Sequence, residues 1–258
     1  MNKRGISHIE VILSFLIFIG FVIFALYFFS PFKADRVIGS SLSYAVKEII
    51  KNASVEIDSY SIRLNANTKD DIGKIIEIRI EGLNSKKNVR AESYIGEEIS
   101  SRREAGNNDI IRIRLDNKLY GFNGNEGFVI LKFSEDIDKY GNSNDLNGIL
   151  ADEENLYEIG TINKIKIVSE KRIIELKNIY EKGSEDYKNI KKNFNLPNRV
   201  NFAFSLSFDN GEKIEAKQDI PKGLGVFPNL QRIEVLQKDS DKNKNDRINF
   251  GDLTIIIW

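Results

Sequence analysis

Glu10-Val11-Ile12-Leu13-Ser14-Phe15-Leu16-Ile17-Phe18-Ile19-Gly20-Phe21-Val22-Ile23-Phe24-Ala25-Leu26-Tyr27-Phe28-Phe29 decides how this chain is organised. No charged side chain stands between Glu10 and Lys33, and a helix needs roughly 20 apolar residues to cross the hydrocarbon of a bilayer. Ser14, Gly20 and Ser30 are interruptions that a membrane helix tolerates. The stretch therefore reads as a transmembrane span over about residues 9–32. Lys3 and Arg4 precede it and favour a cytoplasmic N-terminus, while Lys33 and Arg36 beyond it are offset by Asp35. The expectation is a single-pass protein of the cell membrane whose C-terminal domain is extracellular.

A cleaved secretory signal is the first rival. Its apolar core runs ~7–15 residues and ends at a small-x-small site. Here the core is longer, and Ala25-Leu26-Tyr27-Phe28-Phe29 offers no such site. A plain uncleaved signal anchor stays open. Glu10 is the residue that a plain anchor does not need, because a carboxylate at the centre of a span costs on the order of 2.5–3.5 kcal/mol. One account puts Glu10 at headgroup level near a helix N-terminus, where the helix dipole favours an anion.

The surrounding residues supply another account. Lys3-Arg4-Gly5, then Ile6-Ser7-His8-Ile9-Glu10-Val11 and the apolar run, closely resemble the prepilin signature of type IV pilins and pseudopilins. The short leader looks most like archaeal class III signal peptides. The resemblance covers about the first fifth of the chain, and it departs at His8, where the family usually has an apolar residue, and at Ile6, where bacterial members usually have Phe. It implies a leader of residues 1–5 and cleavage between Gly5 and Ile6 by a membrane prepilin peptidase. It also implies an assembly role for Glu10, which would meet a neighbouring subunit's new α-amino group. Glu10 lies about one helical turn beyond Ile6, so a pairing within one subunit is open as well. His8 reads either as a pH-sensitive contact near Glu10 or as a tolerated interfacial polar residue.

Beyond the membrane, Val37, Ile38, Leu42, Ala45, Val46, Ile49 and Ile50 recur at helical spacing, which extends the N-terminal helix over 6–53 with a kink or membrane exit at Pro31. After Asn52 the period becomes two. Val55 and Ile57, then Tyr60, Ile62 and Leu64, read as one strand or two. Ile76–Ile80, Ile111–Leu115 and Phe128–Phe133 complete a β-rich lobe over 54–133. Residues 134–155 read as a polar connection. A second α+β lobe over 156–258 holds strand Ile162–Val168 and helices Ser169–Glu181 and Ser184–Phe194, with both serines as N-caps. It continues with the strand Phe202–Phe208, a hairpin at Asp209-Asn210-Gly211, and strands Arg232–Gln237 and Leu253–Trp258. The stretch from Ile173 to Phe208 loosely resembles the distal part of archaeal pilin-like proteins. The fold class is α+β: a long N-terminal transmembrane and amphipathic helix, then a mostly antiparallel β-sheet head with two short helices.

Composition narrows function. Lys+Arg 38 balances Asp+Glu 38, so no net charge points to nucleic acid. The absence of cysteine removes disulfides, thiol catalysis and thiolate metal sites, and a single histidine leaves little for Ser-His chemistry. The Gly-rich loop Gly121-Phe122-Asn123-Gly124-Asn125 lacks the spacing of a phosphate loop. No spacing picks out a catalytic carboxylate pair, so the expectation is no enzyme and no cofactor. Calcium is the one metal with a candidate set: Asp241, Asn243, Asn245, Asn249 and Asp252 fall at positions one, three, five, nine and twelve of a loop resembling a dockerin calcium loop. Asp246 stands where such loops have Gly, and the competing reading is a polar hairpin loop. The lone sequon, Asn52-Ala53-Ser54, is what chance gives in an Asn-rich chain.

The resulting expectation is a pilin-like structural subunit that assembles into a type IV pilus-like filament or pseudopilus. Its partners would be the prepilin peptidase, other pilin subunits, the assembly machinery and the membrane. The alternative is a non-polymerising single-span surface protein with an extracellular binding domain.

Overall fold

In the computed structural model the apolar and amphipathic stretches form two helices, α1 at His8–Phe28 and α2 at Pro31–Ala53. The structure describes residues 8–28, 31–104, 107–121, 126–138, 146, 156–238 and 247–258. Pro31 opens α2, the position where its missing N–H has no helical partner to lose. Residues 29–30, between the two, lie outside the described residues.

Among the described residues twelve strands follow, with two α-helices between them. In order they are β1 Ser54–Leu64, β2 Ile75–Arg79, β3 Asn88–Ser93, β4 Glu98–Ile99, β5 Ser101–Glu104, β6 Asn107–Arg114, β7 Gly127–Ser134, β8 Tyr157–Ser169, helices α3 Glu170–Lys182 and α4 Ser184–Asn193, then β9 Phe202–Phe208, β10 Lys213–Ala216, β11 Phe227–Gln237 and β12 Arg247–Ile257. Nine strands make one sheet in the order β10-β9-β12-β11-β8-β1-β7-β3-β4, and β2-β6-β5 make a second. Every named pair is antiparallel except β8 with β11. The fold is α+β, with an apolar N-terminal helix and a large, mostly antiparallel sheet. The stretches before and after 134–155 share that sheet, joined where β1 pairs with β8.

Side chains alternate across a strand, so the register assigns each core to a face. Val168, Val235, Leu253, Ile255, Phe202 and Phe204 share one face, and Ala45, Val46 and Ile49 of α2, Ile173 and Leu176 of α3, and Tyr187 and Ile190 of α4 pack on them. Farther along the same face, the small sheet lays Ile76, Ile78, Ile111 and Ile113 over Ile62, Leu64, Val129, Leu131 and Phe133. Val55 and Ile57 point the other way and join Ile137, Ile167 and Leu236 in a minor core on the opposite face. β1 therefore serves both faces, which is why its apolar residues change phase between Ile57 and Tyr60. Its register with β8 also slips between Tyr60 and Ile62. Gly160 sits at that irregularity, where a Cβ would approach the Ser61 carbonyl oxygen to 3.2 Å.

Five local expectations change. Ser169 sits at the N-cap of α3, but its hydroxyl caps no backbone N–H. Gly183 occupies the N-cap of α4, so Ser184 is the first helical residue instead of the cap. β8 and β11 each begin five residues earlier than the alternation suggested. β12 begins six residues earlier, at Arg247 in place of Leu253. Much of these N-terminal stretches is solvent-exposed, so no apolar alternation marks them. The Asn210-Gly211 turn is as expected, with Gly211 at φ 87 and the Asn210 side chain accepting from the Glu212 N–H at 3.0 Å.

Between the two coverings of the main face lies a charged seam. Lys87 Nζ donates to Asp58 Oδ2 at 2.7 Å and Glu56 Oε1 at 2.9 Å, and Lys164 stands 3.7 Å from Asp58. Burial pulls the Lys87 ammonium down, but its bonds to Asp58 and Glu56 outweigh that and leave its pKa raised. The hydrogen bond from Lys87 holds Glu56 below the usual carboxylate range.

Candidate functional site

α1 presents a surface that its own fold does not cover. Glu10–Tyr27 is long and apolar enough to cross a membrane, and none of it is buried by the rest of the chain. The exposure runs round the whole helix: Val11, Phe15, Phe18, Phe21 and Leu26 all lie in the open. Burying one large apolar side chain is worth ~1.5–3 kcal/mol. Leaving the whole set in water would cost tens of kcal/mol by that measure, so the helix calls for lipid or other helices around it. A helix that is apolar on all sides is a buried or membrane helix.

Glu10 is the acidic residue in the first turn of α1, at the edge of this surface. There the positive end of the helix dipole favours a carboxylate. Its neighbours in the signature, Gly5 and Ile6, lie outside the described residues. Gly20 is the only glycine in α1, and a Cβ there would meet nothing within 4 Å.

α2 fixes the head to this segment. Ser41, Ala45, Val46, Ile49 and Ala53 are buried against the sheet and α3, while Tyr44 is exposed. The helix ends directly in β1, where the Ser54 hydroxyl donates to the Ile50 carbonyl at 2.6 Å. Arg172 of α3 ties the same corner, donating to the Ser54 carbonyl at 2.8 Å and to Asp136 Oδ2 at 2.7 Å.

Of the calcium candidates, Asp241, Asn243 and Asn245 lie outside the described residues. Asn249 and Asp252 stand in β12, three residues apart and hence on opposite faces of the sheet. Asn249 donates to Gln237 Oε1 at 2.7 Å, and Asp252 pairs with Arg232 at 3.5 Å. The structure does not bring these two together. Among the described residues no group of three or more His, Cys, Asp or Glu side chains is placed to hold a metal.

Sequence reasoning missed one further constellation, a cavity where α3, β8 and β11 meet, lined by Ser169 and Leu236 among others. Its residues come from three separate segments and no short motif marks it. No protein-family model, curated protein or solved structure matches the chain.

Proposed function

We propose that the chain is a pilin-like structural subunit, held in the membrane by α1 and assembled through that helix into a type IV pilus-like filament or pseudopilus. The observation that carries this reading is an apolar helix exposed on all sides with a carboxylate, Glu10, in its first turn. The resemblance of Lys3-Arg4-Gly5-Ile6 to a prepilin leader supports the same reading. Lys3 and Arg4 keep the N-terminus cytoplasmic, so the sheet domain faces outward.

In this account Glu10 compensates a cation inside the low-dielectric layer. Cleavage after Gly5 leaves a new ammonium on Ile6, and pairing it with Glu10 of the same or a neighbouring subunit lowers the cost of placing both in the membrane. The rest of α1 packs on lipid before assembly and on neighbouring α1 helices afterwards. α2 transmits that arrangement to the head because its buried face is part of the head's core.

Two substitutions test the reading. Glu10→Ala is expected to leave the head folded and the protein in the membrane while removing it from any filament. Incorporation at the wild-type level would contradict the assembly role. Gly5→Leu is expected to leave a precursor uncut by the prepilin peptidase, whereas a plain signal anchor would be indifferent to it.

A further inference from the structure

Residues 217–226 join β10 to β11, and every one of them is solvent-exposed. Ile220, Leu224 and Val226 are nonetheless large and apolar, and so is Phe227, the exposed first residue of β11. The Leu224 N–H donates to the Pro221 carbonyl at 3.4 Å, and Gly223 at φ 86 supplies the positive φ of that turn. Lys222 and Gly223 are therefore its apex, and Leu224, just beyond, is 52% exposed. Exposed loops are ordinarily polar because nothing in the fold covers them. An apolar cluster on one marks a contact with something outside the fold.

The position of the loop says what that is. α3 begins beside the carboxyl end of α2, where Arg172 donates to the Ser54 carbonyl at 2.8 Å. It runs down the sheet until the Tyr180 hydroxyl donates to the Phe202 carbonyl at 2.6 Å. Phe202 pairs with Ile257, and Ile257 with Phe227. The Phe227 end of the sheet is thus opposite to the end where α2 finishes. α2 shares the core of α3, with Ala53, Ile49 and Ala45 buried and Leu42 and Ile38 packed on it, so it rises from the Phe227 end. Pro31 stands about 33 Å from Ala53 along the helix, and Phe227 about 26 Å from Val235 along β11. The start of α2 and the loop are therefore level. Phe28, the last residue of α1, is within about 11 Å of Pro31 whatever path the chain takes between them. The loop stands where the chain leaves its apolar span.

Its charges fit the same surroundings. Lys217 pairs with Glu215 at 3.3 Å, whereas Lys222 has no ion pair among the described residues. An ammonium beside apolar side chains matches lipid phosphates above acyl chains. Trp258, the chain's one tryptophan, is half-buried at this end, where its N–H donates to the Asn201 carbonyl at 3.0 Å. Tryptophan favours the membrane–water interface.

We propose that residues 220–227 insert into the headgroup layer of the bilayer that holds α1, giving the head a second membrane contact. Ile220, Leu224, Val226 and Phe227 enter the boundary of the acyl chains, and Lys222 meets the phosphates. The inference rests on α1 lying in a membrane, as in the function proposed above, and not on cleavage or assembly.

The chain has no cysteine, so single cysteines can carry a nitroxide without other changes. Phe18→Cys, Leu224→Cys and Phe250→Cys forms of the full chain are labelled and reconstituted into phosphatidylcholine–phosphatidylglycerol vesicles. Collisions of each label with oxygen and with a water-soluble nickel chelate are then compared. Phe250 is an exposed control that pairs with Glu234, towards the other end of β11. Oxygen collisions are expected to exceed nickel collisions at Leu224→Cys, with the order reversed at Phe250→Cys. Adding Lys222→Glu to Leu224→Cys is expected to restore part of the nickel access, because an anionic surface repels the new carboxylate. Free nickel access at Leu224→Cys with Phe18→Cys shielded would overturn the loop contact and leave the anchor standing. Nickel access at Phe18→Cys would overturn both. Shielding of Leu224→Cys only at high protein-to-lipid ratio, with dipolar broadening between labels, would overturn the proposal in favour of contact between copies of the chain.

Discussion

α1 and α2 follow one another along the chain, yet they solve opposite problems. α1 is apolar on every side, and none of its span is buried by the rest of the chain. α2 is apolar on one stripe, and that stripe is buried in the head. The surface of α1 is left uncovered by the described residues. That of α2 is covered from within. The same residue types therefore have different consequences on the two sides of Pro31.

The largest effect should fall on the inner side. Ile49 is fully buried, so Ile49→Ala is expected to cost about 4 kcal/mol of head stability, read by urea unfolding, with membrane insertion unchanged. Phe18→Arg should do the reverse. It is expected to cost about 3 kcal/mol of insertion free energy, seen as protein lost from the membrane fraction, while the urea midpoint of the head stays put. If either substitution moved both readouts together, the division at Pro31 would be wrong.

Within the head, the charged seam is the next strongest probe. Lys87→Met strands Asp58 among buried surroundings, with Lys164 at 3.7 Å the remaining cation paired with it among the described residues. A loss of about 2 kcal/mol is expected, below that of a fully buried pair because Lys164 remains. The pH dependence follows from the same groups. Glu56 has a folded pKa below its ordinary 4.5, so its contribution is present above that value and lost as pH falls through the folded pKa. Lys87 has a folded pKa above its ordinary 10.5, so its contribution is present below that value and lost as pH rises through the folded pKa. Urea midpoints should therefore fall at both extremes, and both limbs should flatten in Lys87→Met. Tyr44→Ala, on the exposed side of α2, should change head stability by less than about 0.5 kcal/mol.

How legible each part was in the sequence follows from how it is covered. α1 could be read directly because its apolar run is unbroken. The strands Phe202–Phe208 and Ile76–Ile80 could be read because large apolar residues on one face alternate with small or polar ones on the other. β1 was ambiguous because its core changes sides midway, from Val55 and Ile57 to Ile62 and Leu64. The N-terminal halves of β8 and β11 carry no apolar alternation because so much of their surface is exposed. The order of the sheet was not legible, since pairing of β1 with β8 joins residues a hundred positions apart. The α3 cavity was hidden for a similar reason: Ser169 has the residue type and position of an N-cap, and only the fold shows that its hydroxyl caps nothing.

The account rests most heavily on the first residues of the mature protein. Mass spectrometry of the chain recovered from its native membrane reads them directly. Ile6 as the N-terminal residue is the predicted result, leaving Glu10 about one helical turn from the new amine. An N-terminus at Met1 or Asn2 would contradict prepilin processing and make α1 a plain membrane anchor.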